Sequence, residues 1–207
     1  TGEQIHAFGC QLAGLSFELP FGQSGLPTIT FTYNVAYWRR LTRSFPDATA
    51  LASDATAPIA GGSVVLTDSG STARTLVNPA RMAINIELGL QPIPSSSTNG
   101  TYQQIGGWAR TDFQATLEMD LPWVDTYETW WDTANQSITA KALIATLNPI
   151  AGLSVGFFCP RLLPMGQRPS VPTNVNDQTY VTVRFLCDEG PDPTSDLTKS
   201  SIRFFAG

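Results

Sequence analysis

Lysine is nearly missing from this chain of 207 residues, standing only at Lys141 and Lys199, and charged residues of all kinds make up 14% of it. Apart from the short cluster Arg39, Arg40 and Arg43 there is no basic block, and the net charge is -5. Tight nucleic-acid binding draws on many phosphate contacts, so this composition argues against it. An acidic protein beside DNA lets the polymer slide rather than holding it. Histidine occurs once, as His6. A Ser-His-Asp triad or a histidine-rich metal site would have to be built around that residue near the chain start, where a surface role is the simpler reading. No apolar run reaches the roughly 18 residues of a membrane-spanning helix. Cys10, Cys159 and Cys187 are odd in number, far apart and set in strand-like sequence. They read as buried free thiols, in keeping with assembly in a reducing cytoplasm.

The remaining chemical motifs are weak. Gly61-Gly62 and Gly106-Gly107 are turn glycines, without the Lys-Ser/Thr ending of a phosphate loop. Asp125, Glu128 and Asp132 share one predicted helix and serve capping and solvation, since no second carboxylate cluster faces them. Asp188, Glu189, Asp192 and Asp196 around Gly190 lack the alternating oxygen spacing and terminal Glu of a calcium loop. The expectation is therefore no catalytic residue, no cofactor and no bound metal.

What is present is strand pattern. Hydrophobic residues reach 42% of the chain, enough for a packed core. Leu12–Leu19 and Thr28–Tyr37 form a predicted hairpin, with Ile29, Phe31, Tyr33 and Val35 alternating against Thr30, Thr32 and Asn34. Gly22, Gly25 and Pro27 supply its turn. The Ser44–Gly62 stretch, rich in Ala, Asp, Ser and Pro, is long for a connection inside a compact domain and marks a boundary. Beyond it, Val64–Thr67 is a short strand, and Met82, Ile84, Ile86, Leu88 and Leu90 alternate with polar residues. Pro92–Gly107 is a loop. From Thr111 to Leu121 an apolar set (Thr111, Phe113, Ala115, Leu117, Met119, Leu121) alternates with Asp112, Gln114, Thr116, Glu118 and Asp120, the period of a half-buried strand. Pro122 ends that strand, and Asp125 caps a predicted helix over Thr126–Ala134. Strand pattern returns at Ser137–Leu147, Leu153–Phe158, Val181–Cys187 and Ile202–Ala206. The predicted fold is all-β: an antiparallel β-sandwich or barrel with one short α-helix.

In chain order these features resemble the tail tube (major tail) proteins of long-tailed bacteriophages. Met82-Ala-Ile-Asn-Ile-Glu-Leu-Gly-Leu90 resembles a strand of that family ending in a loop, and Gly107–Asp120 its long acidic-edged strand. Asp125-Thr-Tyr-Glu-Thr-Trp-Trp-Asp132 looks like its one helix. Ser137–Leu147 precedes Leu153-Ser-Val-Gly-Phe-Phe-Cys-Pro160, similar to a strand that ends in proline. Tyr180–Asp188 and Ser201–Phe205 correspond to its last two strands. Phe8-Gly-Cys-Gln-Leu-Ala-Gly-Leu-Ser-Phe17 with Pro27–Val35 looks like the closing hairpin of a preceding, related lobe. The resemblance spans most of the chain but rests on pattern and not on a short diagnostic motif.

The resemblance implies a lobe remnant over residues 1–60 and a tube-like β domain over residues 61–207. It implies further sequence before Thr1, which is not Met. It also implies a structural, non-enzymatic subunit that packs with itself into rings of six, or trimers of two-lobed chains. Stacked rings, joined by other tail proteins, would form a virion conduit, assembled in the host cytoplasm, through which genomic DNA passes without specific binding and without a membrane role for the subunit. Glu87, Asp112, Glu118 and Asp120 are the lumen-facing acidic candidates. Arg39, Arg40 and Arg43, with Leu51, Pro58 and Ile59 of the long loop, are the assembly candidates. Two other classes compete. Trp108, Trp123, Trp130 and Trp131, with sequons at Asn99 and Asn135, would suit a secreted carbohydrate-binding sandwich, and a virion decoration protein would also oligomerise.

Overall fold

The computed structural model describes residues 2–21, 28–43, 62–68, 74–94, 105–122, 141–147, 155–165, 173–175, 178–189 and 200–206. These carry β1 (Gly2–Phe8), β2 (Gln11–Pro20), β3 (Thr28–Asn34), β4 (Tyr37–Arg43), β5 (Gly62–Asp68), β6 (Arg74–Val77), β7 (Arg81–Pro94), β8 (Ile105–Pro122), β9 (Lys141–Leu147), β10 (Val155–Pro164), β11 (Thr173–Val175), β12 (Gln178–Asp188) and β13 (Arg203–Ala206). No helix occurs among the described residues. The helix expected over Thr126–Ala134 and the long loop over Ser44–Gly62, apart from Gly62 itself, lie outside them. The all-β expectation holds, and the strand pairings with a described register are antiparallel.

One hydrogen-bonded order runs β3-β2-β7-β8-β12-β10-β9-β5-β6, with β11 added on β12 and β13 on β10, while β1 and β4 form a separate two-stranded ribbon. The residues group into two compact units, one of Thr1–Leu15, Phe31–Pro58 and Glu87–Phe113, the other of Ser16–Thr30, Ile59–Ile86 and Gln114–Gly207. Where the sequence suggests a single boundary near residue 60, each unit is thus drawn from three segments. The reason is strand length: β2, β3, β7 and β8 each supply residues to both units.

In the larger unit the core follows from period-two alternation. Ala115, Leu117, Met119 and Leu121 of β8 are buried, and so are Val181, Val183, Phe185 and Cys187 of β12. These residues face each other directly, Leu117 opposite Phe185 and Met119 opposite Val183. Met82, Ile84 and Ile86 of β7, Phe17 and Leu19 of β2, Val64 and Leu66 of β5, Val77 of β6, Leu143 and Ala145 of β9, and Phe157 and Leu162 of β10 add to the apolar interior. Phe17 of β2 meets Phe204 of β13 edge-on at 6.0 Å, although the two strands are not hydrogen-bonded neighbours. The contact is made by side chains and not through a ladder.

Strand β10 serves two sets of neighbours. On one side it pairs β9; on the other it pairs β13 over Val155–Phe158 and β12 over Arg161–Pro164. The register with β9 shifts between Cys159 and Leu162, a bulge that puts both residues on the buried side despite their odd spacing. Pro160 falls inside that shift. Proline has no N–H to give to a ladder and is tolerated at bulges, so the strand continues through Pro160 to Pro164 instead of ending there as the sequence suggested. One turn earlier the packing is tight for another reason. Gly156 lies opposite Phe205 of β13, whose ring covers it, and a Cβ there would meet the Ala145 carbonyl oxygen and come within 2.5 Å of that ring.

The smaller unit has a different character. Its β1–β4 ribbon is in register from Gly2 opposite Arg43 to Phe8 opposite Tyr37. Gly9 leaves β1 with φ of 60°, a conformation that glycine adopts without strain. The Ala36 N–H closes the ribbon by donating to the Phe8 carbonyl at 3.2 Å, and the Trp108 indole N–H donates to the Gly9 carbonyl at 3.0 Å. The Thr111–Leu121 alternation does not keep one apolar face buried throughout. Phe113 is 54% exposed, and burial begins only at Ala115. The period is right, but the covering layer reaches only the later half of the strand.

Two outcomes follow from this packing. Gly156→Ala should lower stability by about 2–3 kcal/mol in urea unfolding, because the β9 backbone has no room to retreat. Gly107→Ala, where the nearest atom to a new Cβ is Ile93 Cδ1 at 3.9 Å, should change it little. The second concerns alkaline pH. The hydrogen bond with Cys187, and then burial, push the Cys159 thiol above its ordinary value of 9.0. Above that value the unfolded chain loses a proton that the folded chain keeps, so stability is full below it and falls as pH rises. The slope is at most about 1.4 kcal/mol per pH unit. Urea midpoints should therefore decline more steeply in the wild type than in Cys159→Ala; equal slopes would refute the linkage.

Candidate assembly surfaces

The outward face of the larger unit carries a ladder of charge. β2, β7, β8 and β12 are consecutive neighbours and contribute Glu18, Arg81, Glu118 with Asp120, and Thr182 with Arg184. Each of these alternates with a core residue, so the register that buries the core also aligns the ladder. Arg81 donates from Nη2 and Nη1 to Glu118 Oε1 at 2.9 and 3.1 Å. Its Nε lies 3.2 Å from Glu18 Oε1 and 3.6 Å from Asp120 Oδ2. Arg184, directly opposite Glu118, donates from Nε to Glu118 Oε2 at 2.8 Å. Thr182, opposite Asp120, donates its hydroxyl to Asp120 Oδ1 at 2.7 Å. Both oxygens of Glu118 are engaged.

This placement separates the four acidic candidates. Glu118 and Asp120 are half-buried and held by arginine or threonine, and the ladder balances three carboxylates with two guanidinium groups. Its field is only mildly negative. Glu87 and Asp112 belong to the smaller unit and are exposed, and no ion pair among the described residues holds either. Sequence reasoning missed Glu18, Arg81 and Arg184 as partners. Their alternation with core residues was visible, but strand order was not.

A second surface is apolar. β3 ends the hydrogen-bonded order, with β2 as its one neighbour among the described strands. Ile29, Phe31 and Tyr33 project from one face of it at 54%, 55% and 54% exposure, and the threonines of the other face are exposed too. The strand, Thr-Ile-Thr-Phe-Thr-Tyr-Asn, has no charge or proline to blunt its edge. The β1–β4 ribbon is similarly open. On one face Phe8 stacks on Tyr37 with ring centroids 5.6 Å apart, and the Arg39 guanidinium lies 5.3 Å over Phe8. On the other face Ile5 and Trp38 are exposed beside Arg40, which pairs in register with Ile5. Arg39 and Arg40 are thus surface residues on an aromatic ribbon, and Arg43 stands at its end. Leu51, Pro58 and Ile59 lie outside the described residues.

No family model matches this sequence, and no curated protein is significantly similar to it.

The ladder predicts unequal responses to removing acids. Glu118→Gln should cost about 1 kcal/mol or more, since it removes the one charge that pairs with both Arg81 and Arg184. Glu87→Gln and Asp112→Asn should each stay within about 0.5 kcal/mol of wild type. Urea midpoints at low and high salt check this, and the Glu118 effect should shrink as salt rises.

Proposed function

We propose that this chain is a structural subunit that associates with copies of itself into rings, and that the rings stack into the tail tube of a long-tailed bacteriophage. The observation that carries the self-association is β3: an uncharged strand at the end of the described hydrogen-bonded order, presenting exposed Ile29, Phe31 and Tyr33 in one row. An edge strand of this kind offers a row of apolar side chains, and backbone beside it, to another strand. Burying one such side chain fully is worth about 1.5–3 kcal/mol, so a row of them favours a permanent partner. Ring closure satisfies every copy in the same way and leaves no edge over. The tube itself comes from the sequence resemblance, and the charge distribution supports it. A surface whose carboxylates are largely paired repels DNA mildly without binding it, which is what a conduit requires.

The ribbon gives the stacked-ring reading a second contact. Arg39 stands exposed on it in a protein of net charge -5, so an acidic face of another copy is a complementary partner.

Purified protein should form rings or hollow tubes in negative stain and sediment as oligomers. Phe31→Ser combined with Tyr33→Ser should keep the β-type circular dichroism yet remain monomeric. A wild-type protein that stays monomeric at high concentration would overturn the self-association reading, and so would a double variant that assembles normally. Binding to preformed capsid shells without tubes would favour a decoration role instead.

A further inference from the structure

Cys159 and Cys187 stand 28 residues apart in sequence, yet their sulfur atoms lie 3.6 Å from each other. They sit on β10 and β12, which pair directly from Arg161 opposite Asp188 to Pro164 opposite Phe185. Cys187 occupies the inward row of β12, opposite Leu162. Cys159 would be on the other side of β10 if the strand were regular, three residues from Leu162. The bulge at Pro160 brings it inward, so a local irregularity is what creates the sulfur pair. Both residues are buried in the apolar core, and both are free thiols. Cys10, the remaining cysteine, is exposed.

We propose that Cys159 and Cys187 are a disulfide-forming pair that cross-links β10 to β12 when the protein meets a low-molecular-weight disulfide. A disulfide needs sulfurs about 2.05 Å apart, so the two must close by roughly 1.5 Å, which side-chain rotation on a bulged strand can supply. In the reaction one protein thiol loses its proton and attacks a sulfur of the small disulfide, releasing one small thiolate. The second protein thiol then loses its proton and attacks the protein sulfur of the mixed disulfide, releasing the other. Two protein thiols are oxidised by two electrons, and the small disulfide is reduced to two thiols. In the closed native state the reaction is slow, because burial excludes the oxidant and the hydrogen bond between the sulfurs keeps Cys159 protonated. Pairing is fast when β10 opens or while the chain refolds. The resulting link closes a loop whose ends are 28 residues apart in sequence, and a loop of that length raises the folding equilibrium constant by about a hundredfold or more.

The test uses the full chain carrying Cys10→Ser, so that the exposed thiol takes no part. One sample is incubated folded with oxidised glutathione, and another is refolded from urea in its presence. Both are quenched in acid, alkylated and digested without reductant. The expected result is a linked pair of peptides containing Cys159 and Cys187, lighter than the two separate peptides by two hydrogens. It should form at least in the refolded sample, with a higher urea midpoint that a thiol reductant returns to its starting value. Two results would overturn the proposal. One is both cysteines alkylated in both samples. The other is a linked product that is less stable than the reduced protein, showing that the native strands do not accept the bond.

Discussion

Leu117 faces Phe185 and Met119 faces Val183 across β8 and β12, and most of what distinguishes this molecule hangs on that register. Successive side chains of a strand point to opposite faces, so a register that matches two apolar rows must also match the two rows behind them. Glu118 is thereby set opposite Arg184, and Asp120 opposite Thr182. The same pairing puts Cys187 in the inward row, where the bulge in β10 delivers Cys159 to it. A slip of one residue would bury the charged row and expose the apolar one. The cost of unpaired buried carboxylates far exceeds the worth of any single surface ion pair. The core therefore fixes the ladder, and the ladder in turn penalises the wrong register.

The parts of the fold that were legible in the sequence are those written in period two. The inward row of β12, and those of the buried halves of β7 and β8, could be named from alternation. Phe113 shows where this stops. Its place in the period matches Leu117, but burial depends on what lies above the strand, and nothing local says where that cover ends. Pro160 shows a second limit. Proline reads as a terminator unless a bulge absorbs its missing N–H, and the bulge is a property of the pairing with β9 and not of the sequence around Pro160. The cysteines show a third. Counting and spacing gave separate buried thiols, which holds for burial of Cys159 and Cys187, but only the β10–β12 pairing makes them neighbours.

The candidate site was legible in a more uneven way. Glu118 and Asp120 were found as outward acids of a half-buried strand, and the structure agrees on the face they occupy while changing their chemistry. An outward carboxylate becomes a field source only if no neighbouring strand brings a guanidinium beside it. Arg81 and Arg184 come from strands 37 and 66 residues away in sequence, so no window of sequence around Glu118 contains the answer. Glu87 and Asp112 keep an exposed placement with no ion pair among the described residues, so the four acids do not share one chemistry as a uniform stripe suggests.

The contrast between the ladder and β3 bears on why such an edge persists. Natural sheets blunt their ends with lysine, proline, bulges or inward charges. This chain has the means: it places proline in a bulge of β10 and lines four neighbouring strands with paired charge. Neither charge nor proline is used on β3, and lysine is nearly absent from the whole sequence. For a subunit working alone, that combination invites indiscriminate aggregation. For a subunit that meets its own copies, it is an advantage, because any charge on the edge would have to be desolvated each time a ring closed. On the proposed self-association, the uncharged strand and the heavily paired outer face are two solutions to one problem. Charged side chains stand where no copy would dock, and the strand that a copy would meet carries none.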